Sequence, residues 1–353
     1  MRMYQPKTIG ITGALVIFLV ACAWGEEAEP FYKGKTLTVI QGRSPGGTGD
    51  LRTRAVVQYL RKYLPGDPTV VSQYMPGGGG TLAANHLANA ARRDGLTIGN
   101  FGSSMFANAI LGSRGVNYQL SDFVFLGATS LWGPNTVIVR PGLGLNSVQQ
   151  LKTAEGLRFA QRSVGHTLYI VDRMIAYLLD LKNPQWVLGY SSPEVYLALE
   201  RGEADLQSNS IHTIIRARPN WPAEGYAFPI VMKNTKGRGA EVAPWFPQDR
   251  PTLDQFADTR LKRDVLLFHN ASRPATGPYV VHKDVPSGAL AALRYAFDKI
   301  WKDSRFAGEY ERMTAEPADP VTGREITQAL QQLPKDPKVM KAFKRIIGSG
   351  PLP

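Results

Sequence analysis

Thr36-Leu37-Thr38-Val39-Ile40-Gln41-Gly42-Arg43-Ser44-Pro45-Gly46-Gly47-Thr48-Gly49-Asp50-Leu51 runs from a strand pattern through a glycine loop into a helix start. The β-branched, apolar run Thr36 to Ile40 predicts a buried strand, and Gly42 to Gly49 predicts a loop. Beyond it, Leu51, Ala55, Val56, Leu60 and Tyr63 share one helical face. Asp50 stands where an N-cap belongs. The same order then recurs. A strand at 69–72 leads into Pro76-Gly77-Gly78-Gly79-Gly80-Thr81 and a helix over 82–91. A third strand, Ile98-Gly99-Asn100-Phe101, precedes Ser103-Ser104 at a helix start. Repeated strand–loop–helix units predict an α/β domain with a largely parallel sheet.

In such a sheet the two glycine loops fall at the carboxyl ends of strands, where ligands bind. Glycine lets a ligand approach the backbone and leaves N–H groups free, and the following helix presents the positive end of its dipole. Two such loops in successive units predict a cradle for an anion. They match neither G-x-x-x-x-G-K-[ST] nor G-x-G-x-x-G, so nucleotide binding is weakly supported. H-E-x-x-H and G-x-S-x-G are absent too, and no catalytic residue, cofactor or metal site is assigned. Of the five histidines, His166 is the candidate for ligand contact, following Gly165 at a cleft-facing helix start.

A second α/β series follows. It has strands at 136–139, 157–160, 187–188 and from 204, and a helix from Thr167 to about Leu181. A further helix opens on Ser191-Ser192-Pro193-Glu194 as a capping box and closes at Gly202. Residues 216–252 are rich in Pro, Gly and Trp and carry no periodicity. The last section predicts a strand at 279–281 and helices near 287–302, 304–313, 322–332 and 336–347. With 353 residues, the chain is long enough for two domains at roughly 100–200 residues each. The expected division is 35–135 with 263–353 as a first, ligand-holding domain, and 136–262 as a second, closing domain.

The chain is 43% hydrophobic and 20% charged, an ordinary globular balance. A single Cys excludes a disulfide scaffold and a multi-thiolate zinc site. Arg2 and Lys7, the apolar run from Ile9 to Ala21, and the acidic stretch after it describe a secretory signal over 1–22, followed by a linker over 23–34. Leu19-Val20-Ala21-Cys22 resembles a lipobox, which would lipidate Cys22. Ala21-Cys22-Ala23 is the competing A-x-A cleavage pattern. Either way the mature chain is exported. Losing Arg2 and Lys7 lowers the formal charge of +12 by two. That excess fits the steering of anions. The basic residues are dispersed, which argues against nucleic acid as a partner.

Several motifs, taken in order, resemble one family. They are Pro45, Gly46-Gly47, Asp50 and Arg54; then Pro76-Gly77, Gly79-Gly80-Thr81 and Asp94-Gly95-Leu96-Thr97; then Tyr190, Gly202-Glu203, Asp205 and Pro251-Thr252-Leu253. From about residue 31 to 347 the series resembles the periplasmic solute-binding proteins of tripartite tricarboxylate transporters, the Bug family. The resemblance implies an α/β, two-domain Venus-flytrap fold of the type II periplasmic-binding-protein kind, each domain a central sheet flanked by helices. It implies capture of a small carboxylate and delivery to one large and one small membrane subunit. It also implies ligand contacts from Gly46, Gly47, Thr48 and Asp50, from Gly78, Gly79 and Thr81, and from Ser163, Gly165 and His166, with Tyr190 and Asp205 nearby. Partnership with a membrane sensor, or an exported enzyme acting on carboxylates, are the alternative readings. A monomer is the default for this architecture.

Single residues sharpen the picture. Ser103 joins the ligand set as the start of the third helix. Arg162 is the candidate charged partner for the ligand's distal end, given the fork of its guanidinium. Asp50 is read as an N-cap or a cleft residue, and Arg54 as its partner at i, i+4. Gly78, Ser191, the loop Arg162 to His166 and the stretch Ala271 to Pro278 depart from the family pattern.

Overall fold

The computed structural model describes residues 1, 29–131, 133–233 and 242–353. All of the expected export signal after residue 1, including Cys22, and the first half of the 23–34 linker lie outside the described residues.

The chain begins with β1 (Thr36–Gln41), α1 (Thr48–Tyr63), β2 (Thr69–Tyr74), α2 (Thr81–Asn89), β3 (Thr97–Asn100), α3 (Ser104–Ile110) and β4 (Phe123–Ala128). It crosses to a second sheet with β5 (Asn135–Val139), α4 (Val148–Thr153), β6 (Arg158–Ala160), α5 (Thr167–Leu178) and β7 (Gln185–Val187). There follow α6 (Glu194–Glu200), β8 (Leu206–Ser210), α7 (Ile211–Ala217), β9 (Val231–Met232) and α8 (Arg260–Ala271). It returns with β10 (Tyr279–His282), α9 (Ser287–Lys302), α10 (Ser304–Thr314), β11 (Val321–Thr322) and α11 (Gly323–Gln331), and ends in α12 (Pro337–Ile347).

The first sheet has the order β11-β4-β10-β3-β1-β2 and the second the order β7-β6-β8-β5-β9. The first three strands pair in parallel as their strand–loop–helix rhythm predicts. Both sheets are mixed rather than largely parallel. β10 runs antiparallel to β3 and β4, and β5 runs antiparallel to β8 and β9. β10 enters from the far end of the chain, so no local pattern betrays its direction.

Each sheet buries its own core. Leu37, Val39 and Ile98 meet Val56, Leu60, Leu293 and Phe297 on one face of the first sheet. Phe159 and Leu206 meet Val171, Met174 and Ile175 of α5 on the second. α5 is buried along nearly its whole length, because α12 covers its outer side with Val339, Phe343 and Ile346. α8 enters the same core through Val265 and Phe268. Residues 263–271 and 337–347 therefore pack on the second sheet, whereas the sequence assigned everything after 263 to the first. The apolar face of α12 is complementary to α5, and a short link after α11 lets it reach there. The described parts of 216–252 are largely irregular outside the end of α7 and β9, yet packed. Trp221 stacks on Tyr226 at 4.2 Å, and Phe228 and Phe246 are buried beside them.

Candidate functional site

Between the two sheets lies a cleft of about 1050 Å³, lined from both sides. Its floor on the first side is the loop before α1. Gly46, Gly47, Thr48 and Gly49 all face the cleft. Gly47 is the N-cap of α1, and Asp50 is the third residue inside the helix. Asp50 is fully buried and does not line the cleft. Its carboxylate accepts from the Gly46 N–H at 3.0 Å, Gln41 Nε2 at 3.1 Å, Tyr74 Oη at 2.7 Å and Arg54 Nε at 3.1 Å. Burial alone would raise its pKa, but these donors prevail and hold it below the usual carboxylate value. Asp50 thus ties the loop down from behind. The first N–H groups of α1, which a helix leaves without an intrahelical partner, are left to face the cleft.

The second loop, Gly77 to Gly80, has four successive positive φ values between +54° and +145°. Only glycine adopts such a run without strain. Gly79 lines the cleft, while Gly78 and Thr81 stand behind it. A Cβ on Gly79 would lie 2.6 Å from the Gly165 and His166 backbone of the opposite wall. The two walls touch there without side chains. Asn108 Nδ2 donates to the Gly165 carbonyl at 3.1 Å, so Gly165 supports the contact and does not line the cleft. Ser103 lines the cleft close to Thr167, whose hydroxyl accepts from the Ser104 N–H at 3.2 Å.

From the second wall come Arg162, Ser163, His166 and Tyr190. His166 caps α5, its Nδ1 accepting from the Leu168 N–H at 3.2 Å. Burial, with Arg162 and Arg43 nearby, pushes its pKa well below the usual value. The ring is neutral and carries its proton on Nε2. It offers the cleft a donor rather than a base. The Tyr190 hydroxyl donates to Glu203 at 3.1 Å. Asp205 lies outside the cleft lining. It pairs with Arg158 at 2.8 Å and Arg140 at 3.2 Å, tying β8 to β6 and β5. The expectation that it stands near the ligand is corrected by those two arginines, which arrive from separate strands.

Sequence reasoning missed much of the polar lining. Arg52 on α1 forms a two-pronged pair with Glu316, at 2.8 and 2.7 Å, and Glu316 also accepts from Ser210 at 3.2 Å and Thr213 at 3.4 Å across the cleft. Arg216 Nη2 donates to Thr48 Oγ1 at 3.0 Å, and Thr213 meets the same hydroxyl at 3.2 Å. Arg43 lies over Gly49, its guanidinium reaching the Asn100 carbonyl at 3.3 Å, and burial pushes its pKa down to about 10. None of these residues sits in a motif. Glu316 follows α10 in a turn rich in Ala and Pro, and Arg216 lies in a stretch without periodicity. Among the described residues, no group of three His, Cys, Asp or Glu side chains is placed to hold a metal ion.

No family profile matches the chain, and no curated protein matches it in sequence. Solved structures do match it over nearly their whole length. The periplasmic binding protein BugD superposes with a TM-score of 0.67 at 18% identity, covering 89% of this chain and 98% of its own. MatC from Rhodopseudomonas palustris, solved with bound malate, gives 0.66 at 18% identity, covering 89% and 99%. A second R. palustris protein, solved with adipate, gives 0.64 at 16% identity, covering 84% and 93%. The chain therefore has the two-lobed α/β fold of periplasmic binding proteins, and its structural neighbours include proteins of the Bug and TctC type.

Proposed function

We propose that the chain is an exported solute-binding protein that captures a small carboxylate anion in the cleft and delivers it to a tripartite tricarboxylate-type membrane transporter. The observation that carries this reading is the pair of backbone donor loops at Gly46–Gly49 and Gly77–Gly80, facing Arg162 and His166 across one cleft. Neutral donors and guanidinium groups in the cleft lining suit binding an anion without chemistry. Malate and adipate in two of the structural neighbours support a carboxylate as the ligand class.

In this reading the anion docks on the first lobe at the N-terminus of α1, held by backbone N–H groups. Closure by hinge motion brings Arg162, Ser163, His166 and Tyr190 over it. The segments that cross between the lobes, from β4 to β5, from α8 to β10 and from α11 to α12, serve as the hinge. Closure removes water, and each charge-assisted hydrogen bond then counts for more. The closed form is the one presented to the large and small membrane subunits. In this reading the N-terminal signal directs the chain to the periplasm, where it acts as a monomer, with Cys22 either its lipid anchor or part of a cleaved leader. The ligand set is Gly46, Gly47, Thr48, Gly79, Ser103, Arg162, Ser163, His166 and Tyr190, with Asp50, Gly78, Thr81 and Gly165 shaping the loops behind them.

A thermal-shift screen of the mature protein against mono-, di- and tricarboxylic and aromatic acids tests this. A ligand at ~1000 times its dissociation constant adds about 4 kcal/mol of apparent stability. The expected result is a shift by one acid class that disappears in Gly79→Asp, a variant confirmed by circular dichroism and a cooperative, somewhat lowered unliganded melting transition to be folded. A cooperatively folded protein that no acid shifts would overturn the proposal.

A further inference from the structure

Most arginines around the cleft are matched by carboxylates. Arg52 pairs with Glu316, Arg54 with Asp50, Arg218 with Glu200, and both Arg140 and Arg158 with Asp205. Three are not. Among the described residues, no carboxylate stands within ion-pair distance of Arg43, Arg162 or Arg216, and all three line the cleft. They converge on the start of α1 from both lobes. Arg43 Nη1 lies against the place a Cβ on Gly49 would occupy. Arg216 donates to Thr48. Arg162 Nε donates to Ser192 Oγ at 3.0 Å, and that oxygen lies 2.7 Å from the Cβ position of Gly47.

Two of these guanidinium groups also keep buried donors unused. Arg162 Nη1 and Arg216 Nε are out of contact with solvent and have no hydrogen-bond partner. An ionic donor left so is costly, and a ligand oxygen is the natural acceptor. Among the described residues, the cleft's lining carboxylates are Glu316 and Asp319. Glu316 is consumed by Arg52. Setting Asp319 against the three unmatched arginines still leaves two of those guanidinium groups without a carboxylate in the described lining, and Asp50 near Arg43 and Asp172 near Arg162 act on them only from beyond ion-pair distance.

Resting on the capture reading above, we infer that Arg43, Arg162 and Arg216 make this cleft selective for ligands of charge −2 or more negative over monoanions. A single carboxylate on the α1 loop neutralises one guanidinium and leaves the others repelling one another as the lobes close. A second anionic group gives Arg162 and Arg216 their missing acceptor and draws the lobes together. Charge number, beyond shape, then decides which acids close the protein. Because Arg43 belongs to one lobe and Arg162 and Arg216 to the other, neither lobe alone makes the selection.

Calorimetric titration with matched pairs tests this: aliphatic and aromatic diacids, each against its own half-amide, at pH 8. The half-amide keeps size and hydrogen bonding but loses one charge. The diacid is expected to bind at least about tenfold tighter than its half-amide, with the gap narrowing at high salt. In Arg162→Gln and Arg216→Gln, each checked for an unchanged unfolding transition, the preference falls to threefold or less. Arg162→Lys, which keeps the charge, retains most of it. Equal binding of diacid and half-amide overturns the inference and leaves the capture reading standing. A preference that survives both Gln variants overturns the assignment to these arginines. A folded protein that binds no acid of either charge overturns the capture reading itself.

Discussion

Asp50 shows how one buried side chain sets the geometry of a binding loop. Four donors meet its carboxylate, one of them the Gly46 N–H, so the loop's shape and the ionisation of Asp50 are linked. Asp50→Ala is expected to cost about 2–3 kcal/mol in urea unfolding at neutral pH. Because its folded pKa lies below the unfolded one, that contribution is complete above the ordinary carboxylate range. It is lost as pH falls through the lowered value, so variant and wild type converge in acid. Asp172 on α5 behaves oppositely. It is fully buried against Gln161, and burial pushes its carboxyl up to about 7, against hydrogen bonds that favour the charged form. The folded state then holds the proton more tightly than the unfolded state. Its contribution is present below the ordinary carboxylate pKa and lost as pH rises towards 7. Asp172→Asn is expected to be more stable than wild type at pH 8, by on the order of 2 kcal/mol, with the advantage vanishing near pH 4. At this scale the sequence was partly legible. The Asp50–Arg54 pair follows from i, i+4 spacing and is present at 3.0 Å. The burial of Asp172 and the ion pairs of Asp205 depend on strands that only the fold brings together.

Among the elements, the glycine loop before α2 carries the most constraint. Gly79 combines a φ of +66° with a 2.6 Å approach to the opposite backbone. Gly79→Ala is expected to fold with a melting temperature lowered by a few degrees, from the strain of a side chain at that φ, and to bind its acid at least tenfold more weakly, because the added methyl holds the walls apart. Isothermal titration of both proteins reads that difference. α1, the second loop and the first three strands were readable because strand period, glycine cluster and helix period follow one another without interruption. β4, β9 and β11 were not read, two of them only two residues long and leaning on partners distant in sequence. α8 carries a Thr259 cap and an amphipathic face, signals that lay in the sequence and were passed over beside the irregular stretch before it.

For the whole molecule, the lobes meet through a few polar ties, and Glu316 is the busiest. It joins Arg52 of the first lobe to Ser210 and Thr213 of the second. Glu316→Gln leaves the Arg52 guanidinium inside without its counter-charge, at an expected cost of about 3 kcal/mol. Small-angle scattering of that variant without ligand is expected to show a larger radius of gyration than wild type. The two-lobed architecture was legible from the order of motifs, whereas the packing of α12 on α5 was not. A terminal amphipathic helix announces that it has an apolar face but not which core will receive it. The central claim is reversible capture of an anion between the lobes. It is tested most directly by calorimetric titration of the mature protein with the acid that shifts its melting temperature, followed by NMR of the recovered acid. The account predicts one equivalent bound per chain and the acid recovered unchanged. No heat of binding, or an acid converted into another compound, would contradict it.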